Sequence, residues 1–323
     1  MRRKYGFVAA LLCVLLLAGM GLTTLYVDSG KQQEKTDLVV VTSFYPMYIA
    51  ANNVIGDLEG ISLQNLSEPQ TGCLHDYQLT PADMKKLQMA DVFIVNGGGI
   101  ENFLSDVAAN YPELIIVNAS ENVELLEQEA HDHDHEEDSQ EEIPLQEDVY
   151  LQETENAHAW MSISDYMVQV ETIAEGLAAA DVSHASGYRE NAARYRQELE
   201  PLAQEVSNLK EKIGGGSIIS FHEAYDYVAK DLGLTVAFTL NLDEERQVSA
   251  GEVAEVISAV RDGKIQIVLA EELYGSDMGE TVLKETDAQV IYLDTLVSGD
   301  YEKDSYKNGM KENIRLLKEA FAQ

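Results

Sequence analysis

A recurring unit limits how this chain can fold: a short apolar, β-branched run followed by a helical stretch. Residues 38–42, 61–66, 92–95 and 114–117 are four such runs. Four more, residues 217–220, 235–239, 265–269 and 290–293, follow Gly214-Gly-Gly216. Short apolar strands alternating with helices form parallel sheets covered on both faces. Two sets of them predict two α/β lobes. A helix is expected over residues 45–55. Another begins at Thr80, with Thr80 as N-cap, Pro81 at the first helical position and Asp83 at the third.

Between the two sets lies a helical stripe over residues 188–213. Tyr188, Ala192, Tyr195, Leu199, Leu202, Val206, Leu209 and Ile213 recur at alternating intervals of four and three. That is one face of a helix about 39 Å long. A short coiled coil would show the same stripe. Lobe-like sequence on either side favours one helix running along both lobes. Pro201 falls inside the stripe and is expected to kink or break it.

Met1-Arg2-Arg3-Lys4 followed by an apolar run has the build of an export signal or a membrane anchor over residues 1–27. Its basic end stays inside, which places the remainder outside the cytoplasm, periplasmic or at the cell surface. Residues 28–37 read as a polar linker, 38–163 as the first α/β lobe, 164–213 as a helical connection and 214–323 as the second lobe. The chain carries 57 acidic against 22 basic side chains, a formal charge of −35. Such a balance repels phosphate backbones, so nucleic acid is excluded as a partner. Cys13 and Cys73 are its two cysteines, too few for a disulfide framework or a Cys-rich zinc module.

The excess acid is unevenly spread. Residues 127–155 hold 13 acidic side chains in 29 positions and no lysine or arginine, with His131-Asp-His-Asp-His135 inside. Alternating histidine and aspartate cannot pack a core, so this is a surface loop. Imidazole and carboxylate both bind zinc-like cations, which makes His131, His133 and His135 candidate metal-recruiting groups. Three further histidines, His75, His158 and His222, each sit where a strand or loop gives way to a helix, at lobe rims where ligands collect. Three imidazoles leave one position of a tetrahedral zinc open. Water, Asp294, Asp300, Glu271 and Cys73 are candidates for it. His184 is given no role.

With these residues in view, the chain resembles the zinc-uptake solute-binding proteins of metal ABC importers, from Val39 onward. Ser43-Phe-Tyr-Pro-Met47 is similar to that family's first strand exit. The most specific part is His75-Asp-Tyr-Gln-Leu-Thr-Pro-Ala-Asp83, continued by Lys86-Leu-Gln-Met-Ala-Asp91 and the Asn96-Gly stretch. Phe221-His-Glu-Ala-Tyr225 resembles a ligand segment, and the loop at His131 resembles a His-rich insert. The resemblance implies His75, His158 and His222 as metal ligands, and two α/β lobes bridged by one long helix with the metal between them. Around His158 the family pattern usually has Asp-Pro on either side, and this chain has Asn156-Ala157 and Ser162-Ile163. Manganese-type relatives have glutamate where His222 stands, and nitrogen ligands favour zinc.

The implied activity is extracytoplasmic capture of Zn²⁺ by a monomer and its delivery to a membrane permease, without enzymatic chemistry. Protonation of imidazole near its unperturbed pKa of ~6.5 would weaken capture. Asp76 and Glu223, each beside a ligand histidine, are candidates for orienting the rings. Two alternatives stand beside this reading. One is a manganese-specific protein of the same family. The other is a zinc-dependent hydrolase with a three-histidine site and Glu223 as base, although no His-Glu-x-x-His pair is present.

Overall fold

The computed structural model describes residues 38–67, 74, 77–127, 155–242 and 248–322. The first lobe contains β1 (Leu38–Thr42), α1 (Tyr45–Ile55), β2 (Ile61–Asn65), α2 (Pro81–Met89), β3 (Val92–Val95), α3 (Leu104–Asn110) and β4 (Ile115–Asn118). Its strands are parallel, in the order β2-β1-β3-β4. All four side chains of the inner strand β3 (VFIV) are buried, which is why this run shows no polar alternation. Helix α2 starts as its sequence demands. The Thr80 hydroxyl accepts from the Asp83 amide, and the Asp83 carboxylate accepts from the Thr80 amide.

A small antiparallel ladder follows, β5 (Leu126–Glu127) with β6 (Glu155–Asn156), pairing Leu126 with Asn156 and Glu127 with Glu155. It joins the two ends of the acidic stretch, whose histidines His131, His133 and His135 lie outside the described residues. Two helices then form a hairpin, α4 (Ile163–Ala180) and α5 (Ala185–Ile213). Helix α4 packs on β3, β4 and α1 as cover for the first sheet.

Helix α5 is the long one, 29 residues or about 43 Å. It touches α1 of the first lobe and two helices of the second, α6 (Tyr225–Leu232) and α9 (Ser305–Phe321). Six stripe residues, from Tyr188 to Leu209, are buried on it, and Val206 and Ile213 pack half-buried against the same core. The break expected at Pro201 does not occur, because the helix runs through it. Pro201 removes one amide donor, at a cost of about 3 kcal/mol. Leu199 and Leu202 are buried on either side, each worth about 1.5–3 kcal/mol. Ion pairs from α9, Lys307 to Glu198 and Lys318 to Glu205, flank the proline as well. Gly214, in the left-handed region at φ 69°, ends the helix and donates to the Lys210 carbonyl.

The second lobe repeats the plan with β7 (Ser217–Ser220), α6, β8 (Thr235–Thr239), α7 (Ala250–Gly263), β9 (Ile267–Ala270), α8 (Glu272–Glu285), β10 (Gln289–Tyr292) and α9. Its strand order is β10-β9-β7-β8, again all parallel. Counted from each lobe's own first strand, both sheets have the order second, first, third, fourth. The switch points therefore lie at β1/β3 and β7/β9, where open α/β sheets take ligands beyond their carboxyl ends.

Side-chain alternation divides the core. Ile218, Ile267, Leu269 and Ile291 face a large core shared with the first lobe and α5. Ile219, Val268 and Ala270 face away and form a separate core with Val256 and Val260 of α7 and Met278 and Val282 of α8. Among the described residues no helix is long and apolar enough to cross a membrane. The N-terminal segment read as a signal or anchor lies outside those residues.

Candidate metal centre

His222 is the second residue after β7, at the second lobe's switch point. Its neighbour Phe221 continues the ladder by donating to the Leu269 carbonyl at 2.9 Å. The Ser220 hydroxyl turns the chain there, donating to the His222 carbonyl at 2.6 Å. His158 arrives by a different route, on the segment between β6 and a 3-10 turn at Ala159–Met161. That segment is gripped by the first lobe. The Asn96 amide donates to the Ala157 carbonyl at 2.8 Å, and Gln169 and Ser120 complete the set, with Gln169 donating to both Asn96 and Ser120 at 2.9 Å.

The Asn96-Gly97-Gly98-Gly99 turn makes this grip possible. Gly97, Gly98 and Gly99 have φ of 85°, 67° and 85°. A Cβ on Gly98 would lie 3.0 Å from the Ala157 Cα, so only glycine allows the two backbones this close. Glu101 holds the turn by accepting from the Asn96 and Gly97 amides at 2.7 and 3.1 Å. Burial raises the Glu101 carboxyl above its usual value, and hydrogen bonds to it, these two amides included, pull it part of the way back.

The two histidines meet at the lobe junction. Their ring centroids are 5.0 Å apart at 79°, and both side chains belong to buried residues. Two imidazoles on one tetrahedral zinc, with nitrogens at ~2.0 Å, have centroids about 5 Å apart. Edge-to-face packing of aromatic rings covers the same distance. What sets this pair apart is its polar surroundings. Glu223 is also buried, and its Oε1 lies 3.7 Å from His158 Nδ1. Glu223 thus faces the histidine of the other segment rather than only its neighbour His222. Asn156 Oδ1 lies 2.9 Å from the same His158 Nδ1.

Trp160 closes the junction. It packs edge-on against Phe44 at 5.0 Å, lies 4.9 Å from the His158 ring, and donates from Nε1 to the Thr295 carbonyl at 2.9 Å. One side chain thereby joins the strand exits of both lobes. Asp231 adds a second tie from α6, accepting at 3.1 Å from Ser162, the N-cap of α4. Burial pushes its carboxyl up to about 6.

His75, Asp76 and Cys73 lie outside the described residues. Their flank is ordered by α2, since Tyr77 donates to Asp83 at 2.8 Å. Burial alone would raise the Asp83 carboxyl, but hydrogen bonds from Thr80 and Tyr77, with Lys86 nearby, bring it below its usual value. Glu271 and Asp294 sit past the carboxyl ends of β9 and β10. Glu271 accepts from Thr295 at 3.1 Å, and Asp294 accepts from the Leu296 amide at 2.7 Å. Asp300 turns the chain toward α9, accepting from Glu302 N at 3.1 Å and from Ser305. Among the described residues no group of three His, Cys, Asp or Glu side chains is placed to hold a metal. His184, given no role, pairs with Asp181 at 2.6 Å in the α4–α5 turn. A cleft of about 590 Å³ lies at the opposite, amino end of the first sheet and includes none of these residues.

Sequence reading missed Asn156, Gln169 and Glu101 as supports of the junction. Glu101 follows the glycine turn by two residues, a weak local signal. The others reach Glu223 and Asn96 across 67 and 73 residues of chain, and no spacing rule finds them.

A two-lobed α/β protein bridged by one long helix, with buried imidazoles at the lobe junction, is of the class of solute-binding proteins that serve metal ABC importers. The family described as zinc-uptake complex component A, periplasmic, matches residues 40–320, and the chain belongs to it. The iron-binding protein YfeA of Yersinia pestis is 25% identical over 320 residues, covering 98% of this chain and 96% of YfeA. The high-affinity zinc uptake system protein ZnuA of Bacillus subtilis is 26% identical over 315 residues, covering 95% and 94%. Among solved structures, the solute-binding protein FpvC of Pseudomonas aeruginosa in complex with Mn²⁺ superposes with a TM-score of 0.71 at 22% identity, covering 88% of this chain and 98% of that one. Zinc and iron both figure among the relatives' names, so the family fixes a metal-binding importer component and leaves the metal open.

Proposed function

We propose that this protein captures Zn²⁺ outside the cytoplasm, as an exported monomer, and delivers it to the permease of an ABC importer. His75, His158 and His222 are the ligands, with water or a carboxylate such as Asp294 or Glu271 in the fourth position. The observation that carries this reading is the pair of buried imidazoles at the lobe junction, at a centroid spacing that fits a shared tetrahedral ion and with Glu223 and Asn156 beside His158 Nδ1. Nitrogen ligands favour zinc over manganese. His131, His133 and His135 raise the local cation concentration before transfer to the buried site.

The test is metal-dependent stabilisation of the whole chain. Zinc at ~100 times its Kd adds about 2.7 kcal/mol to a native state that alone binds it. His158→Ala and His222→Ala should each abolish the corresponding rise in melting temperature, while substitution of the three loop histidines should leave most of it. Trp160 is the chain's one tryptophan, and its fluorescence should change on zinc addition. A melting curve unmoved by zinc would sink the proposal. Equal or larger shifts with manganese or ferrous iron would remove zinc as the preferred cargo. Stabilisation lost only with the loop histidines would move the site to the loop.

A further inference from the structure

The hydrogen-bond network around Asn156 determines more than its own position. Asn156 is the last residue of β6 and is buried. Its Nδ2 donates to the Glu223 carbonyl at 2.8 Å and to Asp226 Oδ2 at 3.4 Å. Both of those partners accept only, so the amide cannot be turned the other way round. Its Oδ1 meanwhile receives the His158 backbone amide at 3.0 Å, a group that can only donate. Two independent contacts therefore identify Oδ1 as the oxygen.

The same oxygen lies 2.9 Å from His158 Nδ1. An amide oxygen has no proton to give, so the hydrogen of that bond must sit on Nδ1. The Glu223 carboxylate, 3.7 Å away, favours the same placement by charge. In the neutral ring the lone pair is then on Nε2. The backbone of Asn156 is fixed too. Its carbonyl accepts from Tyr227 of α6 at 2.6 Å, and the Tyr227 oxygen in turn accepts from the Leu126 amide at 3.1 Å. One tyrosine thus ties both strands of the β5–β6 ladder to the second lobe.

From this geometry, and resting on the assignment of His158 as a ligand, we propose that Asn156 is a positioning residue of the metal centre. It selects the Nδ1–H tautomer of His158, presents Nε2 to the metal, and locks the His158 segment to the backbone beside His222.

Its tests separate it from the function it rests on. In the metal-free protein at pH 8, nitrogen-15 NMR of labelled histidine should show His158 as the Nδ1–H tautomer. Asn156→Ala should convert the ring to a tautomer mixture and weaken zinc binding by about 10- to 100-fold, the usual effect of removing such a partner. Asn156→Asp alone sets a carboxylate against both Asp226 and the Glu223 carbonyl. The double variant Asn156→Asp with Asp226→Asn restores an acceptor toward His158 and a donor between positions 156 and 226, though not the bond to the Glu223 carbonyl, and should bind zinc more tightly than Asn156→Ala. The recovery distinguishes positioning from a general loss of folding. An Nε2–H ring in the wild type overturns the inference, as does wild-type affinity in Asn156→Ala. If His158→Ala binds zinc normally, the ligand assignment itself fails, whatever the tautomer.

Discussion

The two lobes share a strand order and use it differently. In the first, Ser43 continues β1 by donating to the Ile94 carbonyl at 2.9 Å; in the second, Phe221 does the same from β7 to Leu269 at 2.9 Å. Phe44 and His222 therefore occupy corresponding places, one residue further on. The first lobe fills that place with a phenyl ring packed on Trp160, the second with an imidazole facing His158. The first lobe brings its histidine in by a separate segment, gripped by a glycine turn and a chain of amides. Equal topology supplies equal places, and the side chain set there decides whether a place becomes core or candidate ligand. The cores differ as well. Both faces of the first sheet belong to one large cluster, whereas the outer face of the second shares its cluster only with α7, α8 and their loops.

The comparison can be tested at four places. Trp160 touches both strand exits, so Trp160→Ala should cost about 3–5 kcal/mol and lower the urea midpoint of the whole molecule by circular dichroism. A loss below 1 kcal/mol would mean the lobes are not joined there. Met278→Ala, in the outer core, should cost about 2–5 kcal/mol, felt first in its own layer. Amides of α7 and α8 should exchange faster while those of β1, β3 and α1 keep their protection. Uniform acceleration would show a single cooperative core.

Asp231 at the α4–α6 contact gives a pH test. Its native carboxyl is raised from 3.8 to about 6, chiefly by burial, so the native state holds this proton more tightly than the unfolded chain does. The resulting contribution favours folding below pH 4, is lost as pH rises through about 6, and amounts to at most about 3 kcal/mol. Asp231→Asn, which keeps an oxygen for Ser162, should raise stability at pH 7 and flatten its dependence between pH 4 and 6.5. An unchanged profile would show that the carboxyl does not titrate in that window. Thr80→Ala has the smallest expected effect, about 1 kcal/mol from the lost cap, read as a small fall in melting temperature. A drop of several kcal/mol would mean Thr80 supports more than the start of α2.

The fold was largely legible because its determinants are local. Runs such as LVVVT at 38–42 and SIIS at 217–220 mark strands by their own chemistry, and Thr80-Pro81 marks a helix start. Pro201 misled because local propensity predicts a break, while burial of Leu199 and Leu202 against distant elements holds the helix through it. At the junction, His158 and His222 could be picked out as histidines at element boundaries. Their supports could not, since Asn156 reaches Glu223 and Gln169 reaches Asn96 only after the chain has folded. Glu223 was legible as a neighbour of His222, but its approach to His158 depends on how the segments meet.

The paired ends of the acidic stretch have an evolutionary consequence. Leu126 and Asn156 are paired neighbours, so the two flanks of that stretch meet at a single doorway on the scaffold. For a loop whose ends are held together, doubling the length costs only about 0.6 kcal/mol. Insertions, deletions and changes of histidine count between those two residues therefore carry little penalty to the lobes, and the paired residues at the doorway keep their places whatever the sequence between them.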